Sequence, residues 1–247
     1  MLNDRQKKIL KLLGSDSQAS VRQLAEELGV STVTIRQDLN FLESEGLLKR
    51  VHGGAVMEDA DDIASRLGVN YEKKLRIARK VASLISDGDT ILIESGSANA
   101  LLARELAGRN VTIITTNVYI ARQLRKGVQA RVILPGGVYQ QGSESLVGKI
   151  TKACIDQLNF DKAFIGVDGY TSSAGFTSRD LFRAEVSGHI ISKCADVFIV
   201  TDSSKFGITG LTNICFLRDI HHIATDSDLG SKYVAEFRKA GIDLILA

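Results

Sequence analysis

Residues 31–55, STVTIRQDLNFLESEGLLKRVHGGA, combine a hydroxyl cluster, an amphipathic helix pattern, three cations and a Gly-Gly turn. Nothing in this stretch is a catalytic set. If Ile35, Leu39 and Leu42 face a core, then at about 100° per residue Val33, Gln37, Asn40 and Ser44 face away, with Thr34 and Arg36 on the flanks. Short hydrogen-bonding side chains at the start of such a face suit base edges in a DNA major groove. Gln37 fits adenine, Val33 or Thr34 a thymine methyl, and Arg36 a guanine or a phosphate. The candidate contacts on this helix are Ser31, Thr32, Val33, Thr34, Arg36, Gln37 and Asn40. Lys49, Arg50, His52 and Gly53 lie at the following turn, where cations neutralise phosphates or probe the minor groove. Glu43 and Glu45 are a counter-signal, placed late in the helix where it leaves the groove. The competing reading is a protein-docking helix with an ordinary solvated face.

A second group of chemically capable residues follows a series of apolar runs. Ser95-Gly96-Ser97-Ala98-Asn99, Thr116-Asn117, Pro135-Gly136-Gly137, Asp168-Gly169, Asp202-Ser203-Ser204-Lys205 and Asp226 each come directly after one. In an open α/β sheet, ligands sit beyond the carboxyl ends of the strands. Ser95-Gly96-Ser97 is the best phosphate cradle, because glycine lets backbone amides approach an anion and the next helix presents its positive end. Lys205 supplies a point charge, and Asp168, Glu185 and Asp202 can accept sugar hydroxyls. Lys73 and Arg76 are further phosphate candidates. Any one loop reads more readily as ordinary turn chemistry or a helix cap; the whole set at one edge does not.

The elements that must position these residues change character along the chain. Residues 4–13 carry a helical apolar set, and GSDSQAS (14–20) is a polar break. Ser20 caps a helix with the stripe Val21, Leu24, Ala25 and Leu28, with Gln23 at the capping-box offset and Gly29 as its stop. Ser31 caps the next helix, which ends at Gly46, and LLKRV-HGG-AV reads as two short strands around a turn. We take 1–56 as a winged helix-turn-helix domain, the acidic and aperiodic 57–70 as a linker, and 71–247 as a second domain. There, strand-like runs at 90–94, 111–115, 130–134, 163–167, 196–200, 221–225 and 242–246 alternate with helix-like segments near 72–86, 98–107, 117–126, 144–158, 180–194 and 229–240. Strands that are apolar throughout point to an α/β fold with a mostly parallel sheet covered on both faces. Residues 202–219 fit this rhythm least and read as loop-rich.

Composition excludes several classes. With 44% hydrophobic and 24% charged residues in 247, the chain can bury a core. No apolar run approaches the roughly 18 residues of a membrane span, and the N-terminus lacks the pattern of a signal peptide. Cys154, Cys194 and Cys215 are far apart and set in apolar runs, as expected of buried thiols in a reducing cytoplasm. No metal site or cofactor is expected. Residues 1–56 hold eight Lys/Arg and seven Asp/Glu, so the arrangement of charge, not its total, carries the nucleic-acid reading.

The strings RQKKILKLL and VRQLAEELGVSTVTIRQDLNFLESEGLLKRVHGGAV resemble the winged helix-turn-helix of the DeoR family of bacterial transcription regulators. Where that family usually has two adjacent arginines, this chain has Arg36-Gln37. The resemblance continues through EKKLRIARKVASLISDGDTI, ESGS, ITTN, LPGG, FDKAFIGVDG, GFTSRDLFRAEV and TDSSKFG. These look like the family's C-terminal sensor, whose fold is similar to ribose-5-phosphate isomerase and glucosamine-6-phosphate deaminase. The resemblance implies a regulator, most often a repressor, that binds operator double-stranded DNA and a phosphorylated sugar. By it, the ligand role falls to Ser95, Gly96, Ser97, Thr116, Asn117, Gly136, Gly137, Asp168, Gly169, Glu185, Asp202 and Lys205. Glu94 stands where an aspartate is usual and Ala98 where a threonine is usual, which removes one hydroxyl from the phosphate contacts. A homo-oligomer with paired DNA heads is expected, with no membrane partner. The alternative is a sugar-phosphate isomerase or deaminase with an appended DNA-binding domain. Against it, no activated acid–base pair is identifiable, and His189, His221 and His222 form no recognisable dyad.

Overall fold

The computed structural model describes residues 2–16, 18–56, 63–127 and 129–247. The chain divides into two compact units, Met1–Tyr71 and Glu72–Ala247.

The first unit contains α1 (Asp4–Asp16), β1 (Gln18–Ser20), α2 (Val21–Leu28), α3 (Thr32–Ser44), β2 (Lys49–Val51), β3 (Gly54–Val56) and α4 (Ile63–Gly68). The two central helices start and stop where their caps dictate. Ser20 Oγ accepts from Gln23 N at 3.1 Å, and the Gln23 side chain accepts from Ser20 N at 2.9 Å, which closes a capping box. Gly29, at φ 65°, ends α2 in the left-handed conformation. Ile9, Leu10, Leu13, Leu24, Ile35, Leu39, Leu42 and Leu47 are all buried and form the core that holds α3 in place.

One polar side chain joins that core. Asp38, on the buried side of α3, accepts from Gln6 Nε2 at 3.1 Å and pairs with Arg5, which ties α3 to α1. The 14–20 stretch, expected as a polar break, instead extends α1 to Asp16 and supplies a third strand, in a sheet of order β1-β3-β2. Ladder pairing with β3 (Gln18↔Val56, Ser20↔Gly54) overrides the weak local preference of QAS. Of the expected linker 57–70, residues 57–62 lie outside the described residues. Residues 63–68 form α4, with Ile63 and Leu67 buried.

The second unit opens with α5 (Tyr71–Ala82) and continues with β4 (Thr90–Ile93), α6 (Ser97–Leu106), β5 (Thr112–Thr115), α7 (Val118–Gln123) and β6 (Arg131–Ile133). A hairpin of β7 (Val138–Gln140) and β8 (Ser145–Val147) leads into α8 (Lys149–Asp156) and β9 (Lys162–Ile165). Then come β10 (Gly169–Thr171), β11 (Gly175–Ser178), α9 (Leu181–Lys193), β12 (Val197–Val200), β13 (Thr212–Cys215), β14 (His222–Thr225), α10 (Ser231–Lys239) and β15 (Asp243–Leu246). Seven strands form one parallel sheet in the order β15-β14-β12-β9-β4-β5-β6. From β4 the chain moves outward through β5 to β6. It then crosses to β9 and proceeds the other way, so the direction reverses between β4 and β9. Leu92, Ile114, Ile165, Ile199 and Ile223 of the strands pack with Val186, Ile190 and Phe237 of the helices.

Two expectations change here. The helix expected over 144–158 begins only at Lys149, because Gly148 turns the chain at φ 91° and 145–147 pair with β7. The loop-rich 202–219 contains β13, which joins β10 and β11 in an antiparallel side sheet. No described helix is long and apolar enough to cross a membrane. Among the described residues no cluster of three or more His, Cys, Asp or Glu could hold a metal ion.

Leu39→Ala should cost about 2–5 kcal/mol, since Leu39 is fully buried beneath α3. Urea unfolding of the full chain should show an early transition of the first unit, with far-UV signal from the second unit retained. A midpoint equal to wild type would remove Leu39 from the core that positions α3.

Candidate functional site

In the first unit the face of α3 is built from its cap outward. Ser31 Oγ accepts from Thr34 N at 3.1 Å and lies 2.9 Å from Thr34 Oγ1. Thr32, Val33, Arg36 and Gln37 are exposed beyond this cap, with Val33 at 59%. Asn40 and Arg50, both candidates for DNA contact, are joined to each other: Arg50 Nη1 donates to Asn40 Oδ1. Arg50 N also donates to Glu43 Oε1 at 2.9 Å, so the acid that argued against a DNA face anchors β2 to α3. Lys49, His52 and Gly53 are exposed. Gly53 takes φ 79° at the tip, and its carbonyl accepts from Val21 N at 2.8 Å. Gly54 must remain glycine, since an added Cβ would collide with the Ala19 carbonyl.

In the second unit the polar strand ends gather at one edge of the sheet, and backbone passes close to backbone at its reversal point. An added Cβ at Gly166 would strike Ser95 O, and one at Gly96 would lie 3.4 Å from Gly166 Cα. Gly96 holds φ 107° and starts α6 without a side-chain cap. Ser95 and Ser97 are buried beside it. Thr116 and Asn117 are buried too, and they act on this loop from below. Thr116 Oγ1 donates to Glu94 O at 2.9 Å. Asn117 caps α7 at Ile120 N (3.1 Å) and donates to Ser143 O (2.8 Å) and Ser145 Oγ (3.2 Å). Gly136 and Gly137 let the chain pass close to α8: Thr151 Oγ1 donates to Gly136 O at 2.9 Å, and a Cβ at Gly137 would overlap that hydroxyl.

Asp168 sits on the β9 side of the reversal and accepts from Arg179 N at 2.9 Å, with Arg183 Nη2 at 3.4 Å. Gly169 next to it passes the Ile208 carbonyl too closely for a side chain. Asp202 caps a short 3-10 turn through Ser204 N at 3.1 Å, and that turn carries the half-buried Lys205. Lys74 Nζ lies 3.8 Å from Asp202. Lys73 is held by Asp226 at 3.2 Å and Asp228 at 2.8 Å, so it braces the loop ends from α5. Burial raises the Asp226 carboxyl, but the amide and hydroxyl of Ser203 together with Lys73 outweigh it and hold the group below its ordinary range. Glu185 stands apart from this buried set, half exposed on α9 and paired with Lys152.

Four buried polar side chains take structural roles that their sequence position alone did not indicate. Glu94 and Arg183 are buried with Asp168, so two carboxyls share one guanidinium. Asn99 donates to Ser95 O at 2.8 Å and Phe164 O at 3.2 Å, tying β4 to β9. Asp38 of α3 is the fourth. The available signal was a charged or amide residue inside an otherwise apolar helical stripe: Asp38 between Ile35 and Leu42, and Arg183 one turn before Ser187. The histidines do not reach the loops. His222 bridges Asp196 (2.8 Å) and Asp243 (2.9 Å) at the starts of β12, β14 and β15, the opposite edge, and His189 pairs with Asp156 at 2.8 Å.

Residues 5–61 match the family model of the DeoR-like helix-turn-helix domain, and residues 69–227 match that of the DeoR C terminal sensor domain. The chain is 30% identical over 249 residues to the HTH-type transcriptional regulator GolR of Listeria innocua serovar 6a, covering 99% of this chain and 98% of that protein. It is 31% identical over 223 residues to the glycerol-3-phosphate regulon repressor of Escherichia coli (strain K12), covering 89% and 88%. It is 30% identical over 241 residues to the lactose phosphotransferase system repressor of Lactococcus lactis subsp. lactis, covering 94% of each. Among solved structures, ribose 5-phosphate isomerase A from Methanocaldococcus jannaschii aligns at TM-score 0.42 and 19% identity over 56% of this chain and 55% of that one.

Burial pushes the Glu94 carboxyl up to about 7, against the pull of Arg183, the Gly166 amide and the Ser187 hydroxyl. A raised carboxyl binds more protons in the fold than in the unfolded chain, so its stabilisation is lost as pH rises from the ordinary carboxylate range towards 7. Glu94→Gln should therefore flatten the fall in melting temperature between mildly acidic and neutral pH. A variant whose melting curve keeps the wild-type pH slope would show that Glu94 is ionised throughout.

Proposed function

The chain belongs to the DeoR family of bacterial transcription regulators, and from that membership we propose that it represses a carbohydrate-utilisation operon under the control of a phosphorylated sugar. It is a regulator and not an enzyme, in keeping with relatives named as repressors of a glycerol-3-phosphate regulon and a lactose phosphotransferase system. The observation that carries the effector half of the reading is the reversal point between β4 and β9. There Ser95-Gly96-Ser97 opens α6 with backbone amides, and Gly166 and Asp168 face it from the neighbouring strand end. Ligands of open α/β sheets occupy this crevice, and amides at a helix start favour a phosphate.

In this reading Thr32, Val33, Arg36 and Gln37 meet operator bases or phosphates. Lys49, His52 and the Gly53 turn follow the backbone, while Asn40 and Arg50 fix the wing against the helix. Ser95, Gly96 and Ser97 hold the phosphate. Asp168, Asp202 and Lys205 line the rest of the edge, and Thr116, Asn117, Gly136 and Gly137 act by shaping it. Glu185, on α9, is the outermost of the effector candidates. The partners are operator double-stranded DNA, one phosphorylated sugar and further copies of the chain, acting in the cytoplasm. The sugar shifts operator binding only if it binds the competent and incompetent states unequally.

The test is fluorescence anisotropy on DNA from upstream of the chain's own gene, at fixed salt, with a panel of sugar phosphates. Wild type should bind the DNA, and one compound should shift its affinity. Arg36→Ala should weaken DNA binding by about tenfold or more while keeping the thermal stabilisation given by that compound. Unchanged DNA affinity would remove Arg36 from the interface, and absence of DNA binding by wild type would overturn the regulator reading.

A further inference from the structure

Six large apolar side chains among the described residues are more than half exposed, and four of them belong to one part of the second unit. Val138 (63%) opens β7, Ile150 (62%) is in the first turn of α8, and Leu181 (57%) and Phe182 (53%) begin α9. The structure ties these elements together. Gln140 Nε2 donates to Asp180 Oδ2 at 3.1 Å, linking β7 to the start of α9. Lys152 of α8 pairs with Glu185 of α9. An added Cβ at Gly136, two residues before Val138, would lie 3.6 Å from Ile150 Cγ2. Val33 is accounted for by the α3 face; these four are not accounted for by either site.

We infer that this patch on β7, α8 and α9 is the contact surface for a second copy of the same chain. The area fits. Four side chains at this exposure leave on the order of 400 Å² of apolar surface, and a standard interface takes about 800 Å² from each partner, a little over half of it apolar. The rim also fits a copy of itself. Besides the Lys152–Glu185 pair within one copy, it carries Lys149 on α8 and Asp180 on α9, and a two-fold axis brings one such surface onto its own equivalent, where these opposite charges can meet. Aromatic and branched residues at the centre with charges outside is the composition of a stable protein contact.

The same helical turn reaches the effector edge. Asp180 caps α9 by accepting from Arg183 N at 2.7 Å, and Arg183 turns inward to Asp168 at 3.4 Å. Leu181 and Phe182 turn outward from that turn. A change in the Asp168 loop therefore acts on the turn that presents the contact surface. The inference rests on the regulator reading for the reason two DNA heads should be joined, but its test needs neither DNA nor sugar.

The test is sedimentation velocity of the full chain at micromolar concentration, for wild type, Phe182→Glu, Ile150→Glu and Leu211→Glu. Wild type should sediment as a dimer or larger. Phe182→Glu and Ile150→Glu lie on different helices, and each should raise the dissociation constant by about tenfold or more with an unchanged circular dichroism spectrum. Leu211, the most exposed large apolar residue outside the patch among the described residues at 76%, should tolerate glutamate without loss of assembly. If one patch variant fails to fold, the other gives the reading. A monomeric wild type, or folded patch variants that assemble as wild type does, overturns the inference. Failure of the regulator reading would appear separately, as a wild type that assembles but binds no operator.

Discussion

Backbone meets backbone where Ser95-Gly96 passes Gly166, and the second unit depends on that approach. The sheet reverses direction there, the place where open α/β sheets bind their ligands. Any side chain at 166 would force the two strand ends apart. Asn99 and Thr116 then fix the loop through its carbonyls, and Arg183 with Asp168 fixes the facing one. Buried hydrogen-bonded networks of this kind hold one arrangement closely because each unpaired group would be costly.

The first unit solves a smaller problem with the same economy of parts. Its core is formed by leucine and isoleucine from three helices, and Asp38 is the polar peg that sets the rotation of α3 against α1. The β2–β3 hairpin would be marginal alone. Here it gains a third strand from β1 and is bound to α3 through Glu43 and Asn40. The exposed start of α3 and the exposed tip of the wing are therefore carried on one small framework.

Much of this was legible in the sequence where a local signal coincided with the tertiary outcome. Ser20, Gln23, Gly29 and Ser31 marked helix ends correctly because caps act within four residues. The parallel strands were visible as apolar runs, because the five inner ones, β4, β5, β9, β12 and β14, are buried along nearly their whole length. The strands of the β7–β8 and β10–β11 hairpins and β13 were not, because segments of three or four residues are too short to show a period. At the candidate site, the glycine and hydroxyl clusters stood out at strand ends. Their packing did not: Thr116 and Asn117 are buried, and they hydrogen-bond to the Glu94 carbonyl and the Ser95 hydroxyl. Glu94 and Arg183 were obscured for the same reason, since a buried charge is intelligible only beside its partner.

The most direct measurement is amide hydrogen exchange on the full chain, with and without each sugar phosphate of a panel. The account predicts that the compound which changes operator binding slows exchange at 94–97 and 166–169, on both sides of the reversal point, and alters it along the first turn of α9. Protection confined to other segments, with these loops unchanged by a compound that alters operator binding, would contradict it.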